Sequence, residues 1–82
     1  MNQAELRDVV LAELKRIAPE LEETELKADR PLRDQVDLDS MDWLNFLVAL
    51  NERLKIEIPE SDYRKLVMLQ ETLAYLAGRV KP

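Results

Sequence analysis

The chain has no cysteine and no histidine, a single glycine, and only one tryptophan, one phenylalanine and two tyrosines. Each shortage removes a class of chemistry. Without cysteine there is no disulfide and no thiol nucleophile. Without histidine there is no imidazole base and no Ser-His-Asp triad, and with both missing the usual zinc ligands are gone. A lone glycine, Gly78, cannot form a glycine-rich loop around a phosphate. The chain is therefore expected to hold no metal and not to be an enzyme. No apolar run approaches the roughly 18 residues of a membrane span, and the first residues lack the apolar core of a signal peptide. The expectation is no membrane and a cytoplasmic location. With 12 basic and 17 acidic residues, a formal net charge of −5, the balance argues against nucleic acid, whose phosphates need a basic patch, and against a basic membrane-surface helix.

What is present is 46% apolar content in 82 residues. That predicts one small domain over residues 1–82, whose core must come from packed aliphatic side chains. No repeat, low-complexity tract or Pro/Gly/Ser linker marks a boundary. The charge is uneven: residues 1–40 carry six bases and eleven acids, whereas residues 41–82 carry six of each.

Hydrophobic spacing organises the chain into helices. Asn2 and Glu5 have the spacing of a reciprocal N-terminal cap. Leu6, Val10, Leu14 and Ile17 follow at helical intervals, and Pro19 forces an end, so a first helix is predicted over residues 3–17. Residues 19–39 read as mostly irregular, with room for one short turn near 20–26. Leu21, Leu26, Leu32, Val36 and Leu38 are available to pin this segment to the core, and Glu20–Glu25 reads as a solvated face. A second long helix starts at Asp39-Ser40-Met41-Asp42, with Asp39 or Ser40 as its cap and a core stripe of Leu44, Leu47, Leu50 and Leu54. Ile56-Glu57-Ile58 is extended and stopped by Pro59. A brief helix from Ser61 to Val67, capped by Ser61, would bury Tyr63, Leu66 and Val67. A last helix from Gln70 to Ala77 presents Leu69, Leu73 and Leu76 and stops at Gly78. The fold class is all-α: a four-helix bundle of three main helices and one short helix, with a long loop between helices 1 and 2.

Around Ser40 the residues carry a resemblance. Asp39-Ser40-Met41-Asp42 resembles the Asp-Ser-Leu-Asp motif of acyl carrier proteins. Val48-Ala49-Leu50-Asn51-Glu52-Arg53-Leu54 resembles the second half of that family's second helix. Ile56-Glu57-Ile58-Pro59-Glu60-Ser61-Asp62 resembles its connector, and Leu69-Gln70-Glu71 the start of its last helix. Leu32 lies eight residues before the serine, where the family usually has Phe or Leu. The resemblance runs without a gap from about Leu32 to Leu76.

The resemblance implies a freestanding monomeric carrier of acyl or aminoacyl groups in biosynthesis of the fatty acid or polyketide type. It implies that Ser40 is the covalent attachment point of 4′-phosphopantetheine, delivered from coenzyme A by a phosphopantetheinyl transferase. Asp39 would then support arm transfer, helping to place the incoming coenzyme A with its metal ion. Partners would be the acyl- or aminoacyl-loading and acyl-processing enzymes, reading a docking surface of Met41, Asp42, Trp43 and Phe46. The residues favour this independently: a chain without thiol or imidazole needs a prosthetic thiol to hold an activated acyl group. A phosphodiester also suits a helix N-terminus. The competing reading keeps the carrier fold as an unmodified helical adaptor. A small hydrolase or ligand-binding bundle is disfavoured by the missing His and Cys.

Departures from the family pattern set further expectations. Asp37 and Leu38 stand where the family has Gly and a small residue, stiffening the approach to Ser40. Met41 replaces Leu, where it can touch a partner or the cargo, or simply pack at the helix start. Asn45, Asn51 and Arg53 dilute the usual acidity, leaving Asp42, Glu52 and Arg53 as the only charges over residues 41–54. Trp43 has two readings: an exposed pair with Phe46 that meets partners, or a clamp folded over Leu38 or Val36.

Overall fold

The computed structural model describes residues 2–80. Helix α1 runs Gln3–Ile17 and begins where Asn2 and Glu5 cap one another. The Glu5 N–H donates to Asn2 Oδ1 at 2.8 Å, and the Asn2 N–H donates to Glu5 Oε1 at 3.2 Å. Ala18 leaves the helical region ahead of Pro19. Leu6, Val10 and Leu14 are buried as expected, and Val9 and Leu11 widen the stripe. One charged residue joins this buried face. Glu13 is 3% exposed, and its carboxylate pairs with Arg16 at 3.2 Å and with Arg53 at 3.2 Å. A carboxylate so buried needs such partners, because an unpaired buried charge is strongly unfavourable.

The segment after α1 is more structured than its sequence suggests. A 3-10 turn, Glu23–Glu25, falls within the anticipated stretch, and a four-residue helix α2, Leu32–Gln35, follows Pro31. Leu32, Val36 and Leu38 are buried, while Leu21 and Leu26 pack against the core from outside. Two backbone bonds tie this segment to the far end of the chain. The Leu32 N–H donates to the Val67 carbonyl at 2.8 Å and the Gln70 N–H to the Ala28 carbonyl at 3.1 Å, flanking a bridge between Pro31 and Met68. Inside the loop, the Gln35 amide accepts from the Lys27 N–H at 2.6 Å and donates to the carbonyls of Lys27 and Arg30 at 2.8 and 3.0 Å.

Helix α3, Ser40–Leu54, and helix α4, Leu69–Arg79, complete the bundle, with α1 packed across both. Three expectations need correction here. The buried face of α3 is Phe46, Leu47 and Leu50, with Trp43 and Leu54 at its edges. Leu44 is instead 41% exposed, because the buried face keeps Leu47 and Leu50 but widens toward Phe46 and Trp43 and leaves Leu44 outside it. Helix α4 does not stop at Gly78 but runs through it to Arg79. Gly78 does not take a positive φ, so nothing about its backbone ends the helix. The short helix is a 3-10 helix, Glu60–Lys65, preceded by Pro59 and not capped by the Ser61 side chain. It ends before Val67, which is exposed, while Leu66 is buried and Tyr63 half-buried.

Between these elements, α3 ends at Lys55, whose φ of 54° and ψ of 46° are left-handed. The Ile56 N–H returns to the Asn51 carbonyl at 3.1 Å, and the Ile58 N–H donates to Asn51 Oδ1 at 3.2 Å. Asn51 thus holds both turn and connector, and Ile58 reaches the core. The 3-10 helix is anchored to α4 through Asp62. Its carboxylate accepts from the Tyr75 hydroxyl at 2.6 Å and from Arg79 at 3.1 Å, and pairs with Lys65 at 3.3 Å.

Candidate functional site

Asp39 is the residue that caps α3. Its extended backbone lets Oδ1 accept from the Asp42 N–H at 2.8 Å, and its carbonyl accepts from the Trp43 N–H at 3.0 Å. Ser40 therefore occupies the first helical position, one residue past the cap. It is exposed, and its hydroxyl has no hydrogen-bond partner among the described residues. Of the two capping choices open in the sequence, the fold takes Asp39 and leaves Ser40 Oγ free. The approach to this point is held from below by Val36 and Leu38, both buried, so Leu38 provides the anchoring expected of it. Asp37 stays at the surface.

The helix start also meets the demands of a covalently held phosphate. The first N–H groups of a helix lack intrahelical acceptors, and the dipole places partial positive charge there. A phosphodiester on Ser40 Oγ would lie against that end of a 15-residue helix with its oxygens in solvent. Nothing needs to be displaced, because the serine side chain plays no structural part.

The residues expected to surround Ser40 are distributed differently from the sequence reading. Met41 is 64% exposed, and Asp42 is half-buried in the first turn. Phe46 is 0% exposed and cannot face a partner, so its assignment to a docking surface is overturned: it is the largest fully buried side chain among the described residues. Trp43 is half-buried, its ring 5.2 Å from that of Phe46. It does not stand free: it packs against the core cluster, of which Val36 and Leu38 are members. It forms part of a groove of about 370 Å³ that runs between Pro31 and the 3-10 helix, with Tyr63, Leu66 and Val67 opposite.

Two features escaped sequence reasoning. Leu44 and Val48, at 41% and 40% exposure, continue from Met41 along the outer face of α3. Positions 41, 44 and 48 are neighbours on a helix surface, so an apolar stripe begins beside Ser40. Its signal is present in the sequence, but the leucine period alone assigns Leu44 to the core. The second is the groove, whose lining also includes Arg33 and Arg64. No local pattern joins residues so far apart.

Comparison with known proteins gives a consistent result. Residues 4–79 match the family model described as Phosphopantetheine attachment site. The Acyl carrier protein of Campylobacter hominis is 33% identical over 72 residues, which is 88% of this chain and 85% of the relative. That of Campylobacter fetus subsp. fetus is 31% identical over 77 residues, 94% of each. That of Campylobacter concisus is 31% identical over 72 residues, 88% of this chain and 87% of the relative.

Proposed function

This chain belongs to the acyl carrier protein family, carriers rather than catalysts that bear a covalent 4′-phosphopantetheine, and on that premise we propose that Ser40 is its attachment point. The observation that carries the assignment is the one-residue offset between cap and serine. Asp39 satisfies the first-turn N–H of Asp42, so Ser40 Oγ is exposed and unengaged. When attached, the arm supplies the thiol that holds an acyl group as a thioester, which no side chain of this sequence can do. Asp39 supports arm transfer by helping to place the incoming coenzyme A with its metal ion, while its own carboxylate keeps the helix start fixed.

The chain acts as a monomer in the cytoplasm. It receives its arm from a phosphopantetheinyl transferase and carries acyl or aminoacyl intermediates between loading and processing enzymes. Met41, Asp42 and the exposed edge of Trp43 form the docking surface nearest the arm, and Leu44 and Val48 extend it along α3. That surface has few charges, so apolar contact supplies most of its partner affinity. The test is intact-mass measurement after incubation with coenzyme A and a promiscuous phosphopantetheinyl transferase. One arm should appear on the wild type and none on Ser40→Ala. An unmodified wild type would favour the adaptor reading, and an arm on Ser40→Ala would move the site elsewhere.

A further inference from the structure

The groove beside α3 differs in character from the rest of this acidic chain. Its walls are apolar, formed by Trp43, Tyr63, Leu66, Val67 and Pro31, and among the described residues the only charged ones in its lining are Arg33 and Arg64. No Asp or Glu lines it, although acids outnumber bases 17 to 12 in the chain. Neither arginine is ion-paired among the described residues, whereas Arg16, Arg53 and Arg79 all hold carboxylates. The arginines come from different elements, Arg33 from α2 and Arg64 from the 3-10 helix, and both line the groove. Trp43 lies one helical turn beyond Ser40 on the same face of α3, which puts the groove within reach of anything tethered to Ser40.

We propose that this groove receives an acyl cargo whose chain is apolar and whose far end is a carboxylate, the half-thioester of a dicarboxylic acid. The inference rests on the carrier reading and narrows its cargo. Methylenes of such a chain lie along Trp43, Tyr63 and Leu66, removing apolar surface from water. The terminal carboxylate meets Arg33 and Arg64, whose planar guanidinium groups suit carboxylate oxygens. An aminoacyl or amino-terminated cargo brings a cation to two cations and is disfavoured at this site. A neutral chain of the same length gains the apolar contact alone.

The test loads Ser40 from three coenzyme A thioesters of equal reach: adipoyl, hexanoyl and 6-aminohexanoyl. Two readouts are taken: thioester cleavage by hydroxylamine, scaled to the same coenzyme A thioesters free in solution, and emission of the single tryptophan, Trp43. At low salt the scaled cleavage of the adipoyl form should be about threefold slower than that of the hexanoyl form. A solvent-exposed charge pair supports a factor of that size. The 6-aminohexanoyl form should be cleaved fastest, and Trp43 emission should move most with adipoyl. Arg33→Ala/Arg64→Ala should bring the adipoyl rate to the hexanoyl rate, and Arg33→Lys/Arg64→Lys should keep part of the difference. Equal adipoyl and hexanoyl rates in the wild type, or a difference that survives Arg33→Ala/Arg64→Ala, would overturn the cargo inference while leaving the carrier assignment intact. Failure of Ser40 to take an arm by intact mass would overturn both.

Discussion

Ser40 and Asp39 are adjacent, yet they carry separable duties, and that separation can be measured. Asp39 holds the Asp42 N–H, so Asp39→Ala should destabilise the fold by about 0.5–2 kcal/mol, the usual cost of losing an N-cap. Ser40→Ala removes a hydroxyl with no hydrogen-bond partner among the described residues, and its effect should stay within about 0.5 kcal/mol. Urea unfolding of both variants checks the pair, and a large loss in Ser40→Ala would mean that the serine shares the cap. At the other end of α3, Lys55 holds a left-handed conformation that costs an L-residue on the order of 1 kcal/mol and glycine very little. Lys55→Gly should therefore raise stability by up to about 1 kcal/mol. An unchanged or lower urea midpoint would show that the long side chain contributes something at this turn.

Among the elements, the attachment of the 3-10 helix to α4 is sensitive to acid. The Tyr75 hydroxyl bonded to Asp62, with Lys65 and Arg79 beside it, holds the Asp62 carboxyl below its ordinary range, although partial desolvation works the other way. Because the folded-state value is the lower one, the contribution is fully present above the ordinary carboxylate range and disappears as pH falls through the lowered value. Tyr75 is shifted upward by burial and by Asp62, so its contribution is complete below the ordinary phenol range and is lost as pH rises through the raised value. Stability of the wild type relative to Asp62→Asn should accordingly be greatest near neutrality and vanish in strong acid. A gap that stays constant with pH would assign the loss to packing alone. The same elements show what their sequences could convey. The first helix was legible from end to end because Asn2, Glu5 and Pro19 are local signals. The second long helix was legible in extent but not in rotation. Leu44 and Phe46 both fit a helical period, and only packing against α1 decides which one turns inward. Gly78 misled because glycine permits a helix end without requiring one. Helix α2 was invisible because its first N–H is held by Val67, far along the chain, and the Gln35 bonds because they lie within an irregular loop and follow no periodic pattern. At the site itself the motif pointed to Ser40, whereas the groove, with contributions from α2, α3 and the 3-10 helix, had no counterpart in any single stretch.

For the molecule as a whole, charge and surface set the expected behaviour. The radius of gyration is 11.7 Å, what a fully folded chain of this length should have at about 2.2·N^0.38 Å, so the long connection is packed down. The net charge of −5, concentrated in the first half, opposes that compaction. Raising salt from low levels to physiological strength, where the Debye length is about 8 Å, should raise the melting temperature, and a flat or falling response would count against self-repulsion. Partner binding should respond in the opposite style. Electrostatic steering shows as an on-rate that falls steeply with salt. A surface led by Met41, Leu44 and Val48 should instead bind its natural processing enzyme with weak salt dependence, and Leu44→Asp should weaken it at least tenfold, the size of a hot-spot loss. Steep salt dependence with indifference to Leu44→Asp would shift recognition to the acidic loop. The bridge between Pro31 and Met68 has a further consequence, which concerns time. It makes residues 28–32 part of the same opening unit as the start of α4, although about forty residues separate them along the chain. In hydrogen exchange, the amides of Leu32 and Gln70 should trade their protons for deuterons together and slowly, while those of Glu22 and Thr24, a few residues upstream, exchange early. The long connection would then have two clocks: a quick one in its acidic first half, and a slow one, shared with the core, in the half that leads to Ser40.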